Sequence, residues 1–179
     1  MDGDPIGSQL LLQLILILIN AFFAATETAV VSLNENKIKK QAESGDAKAV
    51  QLLKMVESPT KFLSTIQVCI TLSGFLASAF AADRFASMMA QALHNAGWTF
   101  VSLNALNNIC VILITLILSY FMIVLGELTP KRIALQNPEK VASFSCGVIR
   151  VVSVLFTPIV WLLSVSTNGM LRLFSINPH

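Results

Sequence analysis

Charge is what this 179-residue sequence has least of: Lys, Arg, Asp and Glu make up only 12% of it. Soluble domains carry about 25%. The shortage excludes a soluble globular enzyme, a disordered tail and a nucleic-acid-binding module, and a net charge of +2 is too small to recruit a polyanion. Histidine is confined to His94 and His179. No HExxH, GxSxG or P-loop pattern occurs, so the sequence reads as no enzyme and carries no ATP drive of its own. The three cysteines, Cys69, Cys110 and Cys146, stand in apolar stretches with no close pair. They read as small buried hydrophobes rather than as a disulfide framework or a metal cluster.

Long uncharged runs are what the sequence has instead. They extend from Pro5 to Thr26, Phe62 to Ala82, Phe85 to Gly126 and Val151 to Leu171, and mean hydropathy is +0.73. A helix crosses a bilayer with roughly 20 apolar residues. Asp2 and Asp4, not a basic segment, precede the first run, which is too long for a signal-peptide core and is read as a retained span. The expectation over residues 1–179 is an all-α integral membrane domain. It has three transmembrane helices at about 8–33, 62–82 and 106–126, a cytoplasmic helical hairpin at 34–61 and a C-terminal juxtamembrane helical belt at about 138–174.

Asn34 and Asp46 supply the hairpin's two N-caps, Gly45 its turn, and Val50, Leu53 and Val56 its apolar face. Residues 83–107, with Trp98 and Phe100, read as an extracellular connector partly in the interface. Lys37, Lys39, Lys40, Lys48, Lys54 and Lys61 lie between the first two spans, and Arg84 alone between the next two. The positive-inside rule therefore places the N-terminus outside. Arg150 and Arg172 bracket the last run, which Pro158 interrupts, so it is either a fourth span or a pair of helices along the cytoplasmic side.

Two acidic residues fall in or at the ends of spans: Glu27 and Glu127. Burying a carboxylate there costs several kcal/mol, so each is a functional candidate. The plainer alternative for Glu127 is an ion pair with Lys131, four residues on. Pro130 lacks the N–H that would bond the carbonyl of Gly126, which predicts a free carbonyl oxygen beside the Glu127 carboxylate. A carbonyl and a carboxylate are hard oxygen donors of the kind Mg²⁺ or Na⁺ takes. Span one adds Asn20 and Glu27, flanked by Thr26 and Thr28. Span two adds Ser64, Gln67, Thr71 and Ser78 with Gly74, and span three adds Asn108, Thr115 and Ser119. The alternative for these is helix–helix packing, including a Gly74–Ser78–Ala82 small-residue seam.

The run Asn20-Ala-Phe-Phe-Ala-Ala-Thr-Glu-Thr-Ala29 resembles the first-span signature of the CorC/cyclin M (CNNM) membrane domain. Thr65-Ile-Gln-Val-Cys-Ile-Thr-Leu72 resembles its second-span motif and Leu125-Gly-Glu-Leu-Thr-Pro-Lys131 its third. The resemblance implies magnesium transport, generally efflux coupled to sodium entry, by a homodimer of three-span protomers in the plasma membrane. It implies Glu127, Gly126, Thr26 and Thr71 as metal ligands for Mg²⁺ and possibly Na⁺, supported by Pro130, Gly74, Asn20 and Glu27. Many members carry asparagines on span two, where this sequence has Thr71 and Gly74. Members also continue into a cytoplasmic cystathionine-β-synthase-type (CBS) pair, so the expectation here is either a longer native chain in which that pair follows His179 or a bare membrane domain.

Moving a divalent cation out against an inside-negative potential costs roughly 4.6 kcal/mol per 100 mV, twice the unit-charge value. Sodium entry with alternating access is the expected drive. A polyamine exporter and a membrane-anchored Mg²⁺ sensor without flux are the alternative readings.

Overall fold

The computed structural model describes residues 5–174, so Asp2, Asp4 and His179 lie outside the described residues. Those described are helical, without strands: α1 (Pro5–Val31), α2 (Glu35–Glu43), α3 (Ala47–Glu57), α4 (Pro59–Asn95), α5 (Leu103–Ile123), a π-helical turn (Val124–Leu128), α6 (Thr129–Gln136), α7 (Pro138–Leu155) and α8 (Thr157–Leu173). Three helical stretches are long and apolar enough to cross a membrane: Ile6–Val31, Pro59–Asn95 and Leu103–Gln136. Chain contacts divide into two compact units, one of residues 5–25 and 70–133 and one of residues 26–69 and 134–174.

In the first unit, α4 runs well past the span read from the sequence. It continues through Asp83 and Arg84 to Asn95, and its 37 residues make about 55 Å of helix. A hydrocarbon core is about 30 Å thick. The stretch read as a connector is therefore helical over most of its first half. Two charged residues do not end a helix in the absence of glycine or proline, and none follows Gly74 before Gly97. Packing explains the rest. Ala86 and Ala90, four residues apart, are fully buried against Leu106 and Cys110 of α5, with Met89, Leu93, Val111 and Ile114 around them. The turn between the helices uses Gly97 at φ +100°, where a side chain would be strained. Ser102 Oγ then accepts the Ala105 N–H at 3.4 Å to start α5.

In the second unit the helical hairpin forms at the expected positions. Asn34 Oδ1 accepts the Lys37 N–H at 3.1 Å, the Asp46 carboxylate accepts the Lys48 N–H at 2.8 Å, and Gly45 turns the chain at φ +92°. The buried face of α3 is not Val50, Leu53 and Val56. It is Ala49, Leu52 and Met55, one residue back along the same helical period, and Val50 is exposed. Which side of the helix is buried is decided by packing against its neighbours, which no apolar count along the sequence measures. α7 buries Ala142, Ser145, Cys146, Ile149 and Ser153 along one stripe and packs against α3. Pro138 opens α7, and Pro158, second residue of α8, marks a break where the two helices meet at 71°. The last uncharged run is thus two helices, not one straight span.

The alanines at the α4–α5 contact have no room to grow. Ala90→Leu is expected to destabilise the protein by about 1–3 kcal/mol, measured by thermal unfolding in detergent.

Candidate functional site

The first unit gathers polar groups where the third and most apolar stretch is broken. Pro130 has no N–H, and its ring displaces the carbonyl four residues earlier, that of Gly126. The chain widens there into the π-helical turn Val124–Leu128, closed by the Thr129 N–H on the Val124 carbonyl, five residues back. Such single wide turns inside α-helices frequently mark functional positions.

The Gly126 carbonyl does not stay free as the sequence suggested. Asn20 Nδ2 of α1 donates to it at 2.8 Å, and Asn20 is 2% exposed. The donor that Pro130 withholds is therefore supplied from a neighbouring helix. Glycine leaves room for this approach, and any side chain would crowd it. A Cβ on residue 126 would lie 3.2 Å from Asn20 Nδ2, 3.1 Å from Met122 Sδ and 3.5 Å from the Ile17 carbonyl oxygen. The carbonyl keeps its second lone pair for another donor or a cation.

Glu127, next in the chain, is half-buried, and its Oε1 accepts from Lys131 Nζ at 3.1 Å. The plainer alternative for this carboxylate is thus present. Residues 127 and 131 are one helical turn apart, and the pair reduces the carboxylate's field without removing it, since both side chains reach solvent. Among the described residues no three His, Cys, Asp or Glu side chains come together.

Beside this turn, α1, α4 and α5 enclose a cavity of about 300 Å³. Thr71, Gly74 and Ser78 line it from α4, Ser119 from α5 and Gln13 from α1, between apolar walls that include Ile17, Phe75 and Met122. Ile17 and Met122 are the residues that also touch the Gly126 position, so the cavity ends against the broken turn. Of the expected polar faces, Thr71 and Ser78 reach the cavity from span two and Ser119 from span three. Asn108 is exposed. Thr26, fully buried, and Glu27, half-buried, belong to the second unit, as do Ser64 and Gln67.

Gln13 was missed by reading the sequence. It is 4% exposed, its Nε2 donates to the Ala77 carbonyl at 2.9 Å, and its Oε1 is buried with no partner. The signal was available: Gln13 and Asn20 stand seven residues apart, two helical turns on one face of α1. Both use their amide N–H on a backbone carbonyl of another helix in the same unit.

Residues 11–179 match the sequence family described as the Cyclin M transmembrane N-terminal domain. The chain belongs to that family. Among its relatives, the UPF0053 protein sll0260 of Synechocystis is 34% identical over 98% of this chain and 39% of its own length. The UPF0053 inner membrane protein YfjD of Escherichia coli is 28% identical over 88% and 33%. A protein of Haemophilus influenzae named polyamine export protein is 28% identical over 90% and 37%. The chain thus spans a third to two-fifths of the length of these relatives. The cyclin M membrane domain in this chain is a multi-helix membrane unit whose third apolar stretch is broken at Gly126-Glu127.

Replacing Asn20 by Leu keeps its volume and removes the donor. The Gly126 carbonyl would then be left buried without the partner that Pro130 also denies it. Asn20→Leu is expected to cost about 1–3 kcal/mol, read as a lowered unfolding temperature in detergent. An unchanged transition would mean that this bond contributes nothing.

Proposed function

We propose that this domain carries a small cation across the plasma membrane, Mg²⁺ outward in exchange for Na⁺, by alternating access around the broken turn at Gly126-Glu127. The observation that carries the reading is the Gly126 carbonyl, displaced by Pro130 and held by Asn20 beside an acidic side chain at membrane depth. Irregular backbone at that depth is tolerated where it lines a polar path, and transporters place cation sites at such breaks. Lys131 on Glu127 suits a carrier: a partner that competes with the cargo keeps the cation from binding too tightly to leave. The small number of hard oxygens fits a passing ion better than a resident one. In this reading the N-terminus faces outward, the lysine-rich hairpin inward, two copies form the working unit, and a cytoplasmic CBS-type pair regulates the full-length protein.

One observation favours a second cargo. The cavity has apolar walls and a few neutral polar side chains, Thr71, Ser78 and Ser119 among them, which suits an aliphatic ammonium better than a hydrated divalent ion. A Haemophilus influenzae relative is named polyamine export protein.

Flux into proteoliposomes tests both. The parent protein is expected to move Mg²⁺ when a Na⁺ gradient is imposed, and Glu127→Gln to abolish that flux while the protein stays folded. Putrescine movement that Mg²⁺ does not compete with would select the second cargo. Parent-like flux of either cargo in Glu127→Gln would remove the site assignment, and tight Mg²⁺ binding without flux would make the domain a sensor.

A further inference from the structure

The second unit carries nine Lys and Arg residues against six Asp and Glu over 26–69 and 134–174. Its basic residues are not equivalent. Lys37 is paired with Glu139 at 2.6 Å. Lys54 of α3 and Arg150 of α7 have no carboxylate partner among the described residues. Instead these two share a recess of about 130 Å³, lined also by Gln51, Met55, Phe62 and Cys146. No acidic side chain lines the recess. The Cys146 thiol already donates to the Ser143 carbonyl at 3.2 Å and, more weakly, to Gln51 Oε1 at 3.5 Å, so it adds no charge.

Gln51 and Arg150 form the border between this recess and a second hollow of about 530 Å³, whose other walls are Gly147, Val151, Val154 and Leu155. Val151, Val154 and Leu155 are all exposed. A cationic recess thus opens beside an apolar groove, in a protein with three helical stretches long and apolar enough to cross a membrane.

We infer that this place binds an anionic phospholipid, with its phosphate between Lys54 and Arg150 and an acyl chain along Val151, Val154 and Leu155. The guanidinium offers a planar fork of donors to phosphate oxygens and the ammonium a compact charge. Basic pockets flanking membrane helices take anionic headgroups in this way. Free phosphate would satisfy the two cations but leave the apolar groove uncovered, whereas a lipid covers both. Gly147 leaves the groove floor open, since a Cβ there would meet nothing within 4 Å. The inference is independent of which cation the domain carries.

The test uses the purified protein in detergent, titrated with phosphatidylglycerol, phosphatidylcholine or inorganic phosphate and read by thermal stability and native mass spectrometry. Phosphatidylglycerol is expected to raise the unfolding temperature and remain bound, and the other two to do neither. Arg150→Gln and Lys54→Gln should each weaken its apparent affinity about fivefold, the worth of one basic residue near a membrane surface. The double variant should weaken it by about 25-fold. Lys39→Gln, exposed on α2, should bind as the parent does. Because Lys54 and Arg150 are exposed and unpaired, the lipid-free unfolding temperatures should match, which separates lost binding from lost folding. Equal stabilisation by phosphatidylcholine, equal stabilisation by phosphate, or unchanged affinity in the double variant would each overturn the inference. So would a second copy of the chain that excludes lipid from the groove.

Discussion

The side-chain amide nitrogen of Asn20, 2.8 Å from the carbonyl oxygen of Gly126 and donating to it, ties the first helix to the third apolar stretch at the point where Pro130 withholds a helical donor. The rest of the first unit follows from that arrangement. The proline forces the wide turn, the turn exposes a carbonyl, and a buried carbonyl in lipid needs a donor. The donor comes from another helix, which approaches closely, and a glycine at residue 126 keeps that approach uncrowded. Gln13, two turns earlier on α1, repeats the device against Ala77 of α4, so one face of α1 holds both other helices of the unit through side-chain amides.

The same geometry gives the proposed function its physical footing. A carbonyl with one lone pair in use, a carboxylate shared with a lysine and a cavity with sparse neutral oxygens form a site of modest field. That modesty suits a carrier, because fewer formal charges on the ligands hold a cation less tightly. The second unit differs in character. Its amphipathic helices bury Ile38, Leu52, Met55 and Ile149 and leave lysines and arginines exposed.

Much of this was legible in the residues. The three apolar stretches, the caps at Asn34 and Asp46, the turn at Gly45 and the break at Pro158 were all readable, because each depends on local chemistry that the sequence states outright. The weight placed on Gly126, Glu127 and Pro130 came from the same kind of reasoning. What was not legible depends on the rotation of one helix against another. The buried face of α3 lies one residue away from the expected one, since Val50 and Ala49 compete and only packing decides. The length of α4 beyond residue 82 depends on Ala86 and Ala90 meeting Leu106 and Cys110. The Gly126 carbonyl looked free because its partner sits 106 residues away in the chain. Gln13 was overlooked because a single amide in a leucine-rich helix carries no local signal until its seven-residue relation to Asn20 is noticed.

The central claim is that the break in the third apolar stretch organises cation passage, and Pro130→Ala addresses it most directly. Alanine returns an N–H to the position where a regular helix would bond Gly126, so the carbonyl can turn back into the helix and release Asn20. Cation flux into proteoliposomes, measured beside the unfolding temperature, then separates transport from folding. Loss of flux with an unfolding temperature equal to or above the parent's is the predicted result. Parent-level flux in a folded Pro130→Ala protein would contradict the account.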